Sequence, residues 1–201
     1  MTEMRPSARP VMWKLLAAFA AVYIVWGSTY LAIRFAIETT PPFLMAGVRF
    51  VTAGAILYAW ARARGDATPA KSDWRAAAII GALLLLGGNG GVVWAEQHVP
   101  SGLAALLITS EPLWIVLLAW MLPGGRRPTG GVALGMLLGV GGIALLVGPA
   151  NILNGHGIYP PGALVLFLAS LAWAAGSLYS SRVHLRVSGR MATALQMLCG
   201  G

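Results

Sequence analysis

Charged residues are scarce in this sequence of 201 residues, of which only 10% are Asp, Glu, Lys or Arg. A soluble globular protein has about 25% charged residues, whereas 58% of the residues here are hydrophobic. The chain therefore has too little polar surface for a water-soluble globule of this size. Its glycines and prolines follow no Gly-X-Y period and lie among long apolar runs, which excludes collagen and low-complexity disorder. We predict an integral membrane protein surrounded by lipid.

Residues that carry redox or metal chemistry are also rare. The single cysteine, Cys199, excludes a disulfide framework and a Cys-based zinc site. His98 has no His or Cys at ligand spacing, so we expect no metal site. The glycine-rich run at 87–91 lacks the lysine of a phosphate-binding loop, and we expect no cofactor. The net charge of +8 is interpreted as a topology signal, so we expect no nucleic-acid partner.

Long apolar stretches predict membrane-spanning helices, because a helix needs about 20 mainly apolar residues to cross a bilayer. Six stretches have that length: 13–33, 43–61, 76–95, 102–122, 129–148 and 161–181. A seventh begins near Met191 and reaches Gly201 after about half the length of a crossing. We therefore predict a polytopic, all-α membrane protein with an incomplete seventh helix.

Twelve of the fourteen basic residues fall on alternate connections between these stretches. They are Arg5, Arg9, Lys14, Arg62, Arg64, Lys71, Arg75, Arg126, Arg127, Arg182, Arg186 and Arg190. The positive-inside rule places these connections and the N-terminus in the cytoplasm. The acidic and polar ends near Arg34, Glu38, Glu96 and His98 would then face outward. There we expect a solvated rim, and an extracellular gate is the alternative.

Two of the stretches share a short motif. Trp26, Ser28 and Tyr30 precede Arg34 in the first stretch, and Trp173, Ser177 and Tyr179 precede Arg182 in the sixth. The second copy lies five spans after the first, so the two copies cross the membrane in opposite directions. This arrangement is typical of the inverted repeats of secondary transporters.

The run from Val25 to Arg34, VWGSTYLAIR, and the run from Pro41 to Phe50, PPFLMAGVRF, resemble the opening of EamA-family members of the drug/metabolite transporter superfamily, close to the YedA-like exporters. Glu111-Pro112 and the segment from Ala192 to Leu198 are also similar to that family. The resemblance implies ten helices in two inverted five-helix repeats, with a central pathway between the repeats. It also implies a multi-pass protein of the bacterial inner membrane that exports small organic metabolites or drugs.

From this resemblance we predict four regions. Residues 1–12 would form a cytoplasmic tail, 13–148 the first five-helix repeat, 149–160 an external connection and 161–201 the start of the second repeat, which is incomplete in this sequence. The carrier would work by alternating access, with one repeat rocking against the other about a mid-membrane site.

Two charged residues, Arg49 and Glu111, lie well inside apolar stretches. A charge at membrane depth costs about 2.5 to 3.5 kcal/mol on insertion scales, so such residues usually pair or line water. We expect the two side chains to meet beside a central cavity, with Glu111 neutralising Arg49 or exchanging a proton during transport. A purely structural ion pair is the alternative.

Aromatic and hydroxyl side chains at mid-depth complete the predicted substrate pathway. These candidates are Trp26, Ser28, Tyr30, Asn89, Trp114, Trp173, Ser177 and Tyr179. Such a lining would suit amphipathic or aromatic metabolites. The alternative for each aromatic residue is packing against a neighbouring helix, and for Asn89 it is an interhelical hydrogen bond.

Proline and glycine predict local helix geometry. Pro112 cannot donate a backbone hydrogen bond, so we expect the fourth helix to kink beside Glu111. The glycines at 87–91 would allow close helix packing, as would the stripe of Gly131, Gly135 and Gly139. The Gly-rich helices would also suit a homo-oligomer contact.

Other functions are predicted less well by this sequence. No H-E-x-x-H or G-x-S-x-G motif is present, so a polytopic membrane enzyme has no nucleophile or metal centre to use. A membrane fragment or assembly subunit without transport activity is the main alternative to a carrier.

Overall fold

The computed structural model describes residues 12–147 and 159–201. Over these ranges the chain is a bundle of α-helices without strands. In chain order the helices are α1 (Met12–Ile37), α2 (Pro42–Ala63), α3 (Lys71–Gly81), a π-helical segment (Ala82–Asn89), α4 (Gly90–Ala95), α5 (Ser101–Ile108), α6 (Glu111–Met121), α7 (Gly130–Val147), α8 (Pro160–Arg182) and α9 (Gly189–Gly200). The predicted all-α fold is confirmed. The predicted tail and external connection lie almost wholly outside the described residues.

Five helical stretches are long and apolar enough to cross a membrane. They are α1, α2, the continuous stretch Lys71–Ala95, the stretch Ser101–Met121, and α8. The helix α7 forms where the fifth span was predicted, but its 18 residues are near the lower limit for a crossing. Each helix end lies within five residues of its predicted position.

The helix α8 lies at the centre of the described bundle. It packs against α3, the π-helical segment, α4, α5 and α6. Its buried residues include Leu166, Ala169 and Trp173, which belong to the larger hydrophobic core together with Val92 and Val93 of α4. A second core joins α2 and α3 to α9 through Ala61, Ala77, Met191 and Leu195.

Close packing of the glycine-rich run against α8 is confirmed. A Cβ atom at Gly88 would lie 2.6 Å from Nε1 of Trp173, so only glycine leaves room for the indole ring there. A Cβ atom at Gly91 would likewise lie 2.9 Å from the Cβ atom of Ala169. Asn89 donates a hydrogen bond through Nδ2 to the carbonyl of Leu84, at 3.2 Å. That bond lies within the π-helical segment, so among the described residues the Asn89 side chain bonds to its own helix and not to a neighbouring one.

The glycine stripe of α7 behaves differently from its prediction. A Cβ atom at Gly131 or Gly135 would meet no atom within 4 Å, and one at Gly139 would meet only Leu113, at 3.9 Å. The close helix contact predicted for this stripe is therefore wrong for the part of the chain that the structure describes. The reason is that α7 packs mainly against α5 and leaves its glycine face open.

The ends of the helices agree with part of the predicted topology. The loop after α2 contacts the junction between α8 and α9, because Asp66 accepts a hydrogen bond from Ser188 and forms an ion pair at 2.7 Å with Arg190, in the first turn of α9. The two connections therefore lie at the same end of the bundle, as the distribution of basic residues predicts. Which end faces the cytoplasm remains a prediction from that distribution.

Candidate functional site

The fourth span is broken in the middle. The helix α5 ends at Ile108 and α6 begins at Glu111, with a turn at Thr109 and Ser110 between them. Pro112 is the second residue of α6, a position where its missing N–H costs little. The predicted kink beside Glu111 is confirmed.

Hydroxyl groups satisfy the backbone at this break. Thr109 donates through Oγ1 to the carbonyl of Leu106 at 2.5 Å, and Ser110 donates through Oγ to the carbonyl of Leu107 at 2.7 Å. The same two carbonyls also accept the backbone N–H groups of Thr109 and Ser110, at 3.1 and 3.2 Å. The turn at the break is therefore closed by backbone and hydroxyl hydrogen bonds together.

The break is linked to the central helix α8 by a pair of serines. Oγ of Ser110 lies 3.2 Å from Oγ of Ser170, where either hydroxyl can be the donor. Ser170 is fully buried, and its other acceptor within reach is the carbonyl of Phe167, at 2.9 Å. Sequence reasoning did not select either serine. Their signal is the position of Ser110 directly before Glu111-Pro112, where a span is expected to bend.

A cavity of about 550 Å³ opens beside the break, between α5, α6, α7 and α8. Its lining is apolar apart from Ser110, and it includes Trp114, Met136, Val140 and Phe167. The ring of Trp114 meets that of Phe167 edge to face, with centroids 4.6 Å apart. Of the ten residues predicted for the pathway, Trp114 is the one that lines this cavity.

The structure does not bring Arg49 and Glu111 together as an ion pair. Within 12–147 and 159–201 the one ion pair joins Arg190 to Asp66. Arg49 instead stacks over the ring of Phe50, at 4.4 Å from the centroid, and its buried Nε has no hydrogen-bond acceptor among the described residues. Glu111 is half-buried at the first position of α6.

The two copies of the repeated motif have different environments. In α1 the ring of Trp26 is 59% exposed, Ser28 is exposed and bonds back to the carbonyl of Val25, and Tyr30 is buried. In α8 Trp173 is buried, and Ser177 and Tyr179 are half-buried. Trp173 therefore packs against a neighbouring helix at Gly88, as the packing alternative predicts. The side chain of Trp26 is left largely uncovered by the described helices.

Glu96 is the charged residue that sequence reasoning misplaced. It follows directly after the third span and has no exposed surface. The solvated rim predicted there is therefore wrong for Glu96. The other three residues of that prediction, Arg34, Glu38 and His98, are exposed. Neither carboxylate oxygen has a hydrogen-bond partner within the described part of the chain. The signal was its spacing, since Glu96 shares a helical face with the buried residues Val92 and Val99.

Arg34 lies next to Glu96 but bonds to its backbone. The guanidinium donates through Nη1 to the carbonyl oxygen of Glu96 at 2.5 Å. Burial raises the pKa of Glu96 to about 7, although the charge of Arg34 lowers it. This carboxyl group therefore titrates close to neutral pH.

At the opposite end of the bundle the carboxylates are fully bonded. Asp66 accepts hydrogen bonds from Nε and Nη2 of Arg190, each at 2.7 Å, and from the hydroxyl of Ser188. The bonds from Arg190 and Ser188 lower the pKa of Asp66 to about 2. Asp73 accepts from the backbone N–H groups of Ala70 and Arg186, at 2.9 and 3.0 Å. We call these residues the inner-loop cluster, after the side of the membrane that the basic residues predict for them.

Comparison with known proteins identifies relatives of the chain. Residues 12–148 match the EamA-like transporter family. The chain is 43% identical over 188 residues to the uncharacterized inner membrane transporter YedA of Escherichia coli K12, covering 93% of this chain and 59% of the relative. It is 30% identical to an uncharacterized transporter of Synechocystis sp., covering 90% and 59%.

A further relative has a more specific name. The chain is 28% identical to a probable terminal-alkyne amino-acid exporter of Streptantibioticus cattleyicolor, covering 79% of this chain and 52% of the exporter. The chain thus spans about three fifths or less of the length of these relatives. No solved structure matches it. The match of the family model over most of the sequence, together with the similarity to YedA, shows that the chain belongs to the EamA-like transporter family.

Proposed function

We propose that the chain forms part of a bacterial inner-membrane carrier that exports small organic solutes by alternating access. The observation that carries this proposal is the broken fourth span. Glu111 begins a half-helix midway between Ser101 and Met121, and discontinuous helices with polar groups near the bilayer midplane are typical of secondary transporters. The transporter names of the family and of its members support a carrier and not an enzyme.

The proposed pathway passes the break in the fourth span. Glu111 provides the charged group, and the open face of Trp26 on α1 provides an aromatic surface. Arg49, Ser28, Tyr30, Asn89, Trp114, Trp173, Ser177 and Tyr179 complete the proposed set. The unbonded Nε of Arg49 supports a role for this residue, because a buried cation without an acceptor has capacity for an anionic group.

We propose small amphipathic solutes, amino acids among them, as the transported class. The lining of the cavity beside the break is apolar and aromatic, and such a surface accommodates the apolar part of a solute. A carboxylate such as Glu111 would meet a cationic group. The name of the amino-acid exporter from Streptantibioticus cattleyicolor supports the same class.

Counterflow in proteoliposomes tests the proposal. The chain is reconstituted and loaded with a mixture of unlabelled amino acids, and uptake of the radiolabelled mixture is followed. We expect saturable exchange that Glu111→Gln reduces by about tenfold, equivalent to a loss of about 1.4 kcal/mol in the barrier. Glu38→Gln, which removes an exposed glutamate, is the matched control and should leave exchange unchanged.

Two results would count against this function. Absence of saturable exchange in wild-type proteoliposomes would favour a fragment or an assembly subunit. Exchange that Glu111→Gln leaves intact would remove Glu111 from the pathway. Measuring the same variant over a series of pH values separates a proton carrier from a structural charge, because only a proton carrier changes the pH dependence of exchange.

A further inference from the structure

The buried carboxyl group of Glu96 has no role in the pathway described above. It lies directly after α4, and the neighbouring core residues Val93, Ala95 and Val99 are almost completely buried. Both of its oxygens are enclosed, without a donor from any residue that the structure describes. An ionised carboxylate in such a place loses its hydration without compensation. The geometry therefore fits the neutral, protonated form of the side chain.

A cation lies beside this neutral group without pairing with it. The guanidinium of Arg34 is held at the backbone carbonyl of Glu96 by a hydrogen bond of 2.5 Å, and Arg34 itself is exposed at the end of α1. Rotation of the Glu96 side chain toward this guanidinium would exchange an apolar environment for a charge-assisted hydrogen bond.

Few other titratable groups surround Glu96. The elements that pack against α4 contribute Tyr30 from α1 and Arg49 from α2, and Tyr159 precedes α8. The π-helical segment and α5 carry no titratable residue. His98, two residues further along the chain, is exposed and stacks on Tyr159 at 4.7 Å. Of all these charges, that of Arg34 acts directly on the Glu96 carboxyl group.

We propose that Glu96 is a proton-binding site of this transporter, protonated while it is buried and paired with Arg34 after it has released its proton. In the release step the O–H bond of the carboxyl group breaks, the proton passes to water at the exposed end of the bundle, and the carboxylate accepts hydrogen bonds from the guanidinium. No other bond changes. Protonation reverses the step and returns the side chain to the core.

Within the carrier cycle this site would couple proton occupancy to the outer ends of α1 and α4, and that part of the inference rests on the proposed function. When Arg34 moves from the carbonyl of Glu96 to its carboxylate, the contact between these helix ends changes. The pKa of Glu96, raised to about 7 by burial, places the exchange within the range of pH across a bacterial inner membrane.

Infrared difference spectroscopy of the wild-type chain in lipid bilayers tests the site without any transported solute. We expect a protonated-carboxyl band that titrates with a midpoint near neutral pH. Glu96→Gln should abolish this band, and Glu38→Gln should retain it. Arg34→Gln, which removes the partner of the ionised form, should raise the midpoint by about one pH unit.

The outcomes separate this inference from the proposed function. A neutral-pH band that persists in Glu96→Gln, or no carboxyl band that titrates above about pH 6, would overturn the proton site. A midpoint unchanged in Arg34→Gln would overturn the exchange of partners. Absence of amino-acid counterflow together with a band that depends on Glu96 would reject the carrier and retain the proton site. Amino-acid counterflow without a band that depends on Glu96 would retain the carrier and reject the proton site.

Discussion

The two ends of this helix bundle treat their carboxylates in opposite ways. In the inner-loop cluster Asp66 and Asp73 receive hydrogen bonds from Arg190, Ser188 and the backbone. At the other end the Glu96 carboxyl group is enclosed and accepts none within the described residues. Hydrogen-bonded carboxylates hold two loops together, whereas a buried carboxyl group without a donor is costly to ionise. The two ends of the bundle therefore differ in whether their carboxylates are compensated.

The largest effect on stability is expected from Asp73→Ala. This change removes the acceptor for the N–H of Ala70 at the start of α3 and leaves the N–H of Arg186 without its partner. Losing a helix cap and one buried acceptor should destabilise the chain by about 2 kcal/mol. Thermal unfolding in detergent micelles, followed by circular dichroism, measures the loss. Asp73→Asn keeps one oxygen acceptor and should lose less; equal losses would contradict the assigned bonds.

A pH-dependent effect of intermediate size is expected at Glu96. Because the folded protein holds this proton more tightly than the unfolded chain, its contribution to stability is complete below the ordinary pKa of about 4.3 and is lost as pH rises toward 7. Glu96→Gln should remove this decline, because glutamine does not ionise. The stability of the variant relative to the wild type should therefore increase as pH rises. Unfolding midpoints at a series of pH values give the result. Parallel curves for the two proteins would show that Glu96 is not buried in neutral form.

The smallest effect is expected from Asp66→Asn near neutral pH, because the ion pair with Arg190 is partly exposed and exposed pairs contribute little. The sign of its pH dependence is nevertheless opposite to that of Glu96. The pKa of Asp66 is lowered to about 2, so its contribution is present above the ordinary value of about 3.9 and is lost as pH falls toward 2. The difference between wild type and variant should therefore vanish in acid. A difference that grows in acid would contradict the bonding of the inner-loop cluster.

Much of the fold could be predicted from local sequence, because span length and apolar content are properties of a single helix. The kink at Pro112 was predictable for the same reason, since proline lacks an N–H wherever it occurs. The glycines show where such prediction ends. Gly88 is needed because Trp173 packs directly on it, whereas Gly131 and Gly135 have open space around them. Nothing in the two local sequences distinguishes a glycine that meets a neighbour from one that does not.

The candidate site was predicted less completely. Arg49 and Glu111 were correctly identified as charges within spans, but their pairing required knowledge of which helices are neighbours. The helix α2 packs against α9, whereas α6 packs against α8. Ser110 and Ser170 went unnoticed because isolated serines in apolar helices are common, and only their separation of 3.2 Å gives them a shared role.

The sequence by itself determined that this chain is a multi-helix membrane protein of the EamA-like transporter family and where its apolar helices begin and end. These properties depend on hydropathy, charge and short motifs, and each can be read one segment at a time. Only the tertiary structure decided which carboxylates are bonded and which one is enclosed without a partner. The physical reason is that desolvation depends on the atoms that surround a group, and those atoms come from helices distant in sequence.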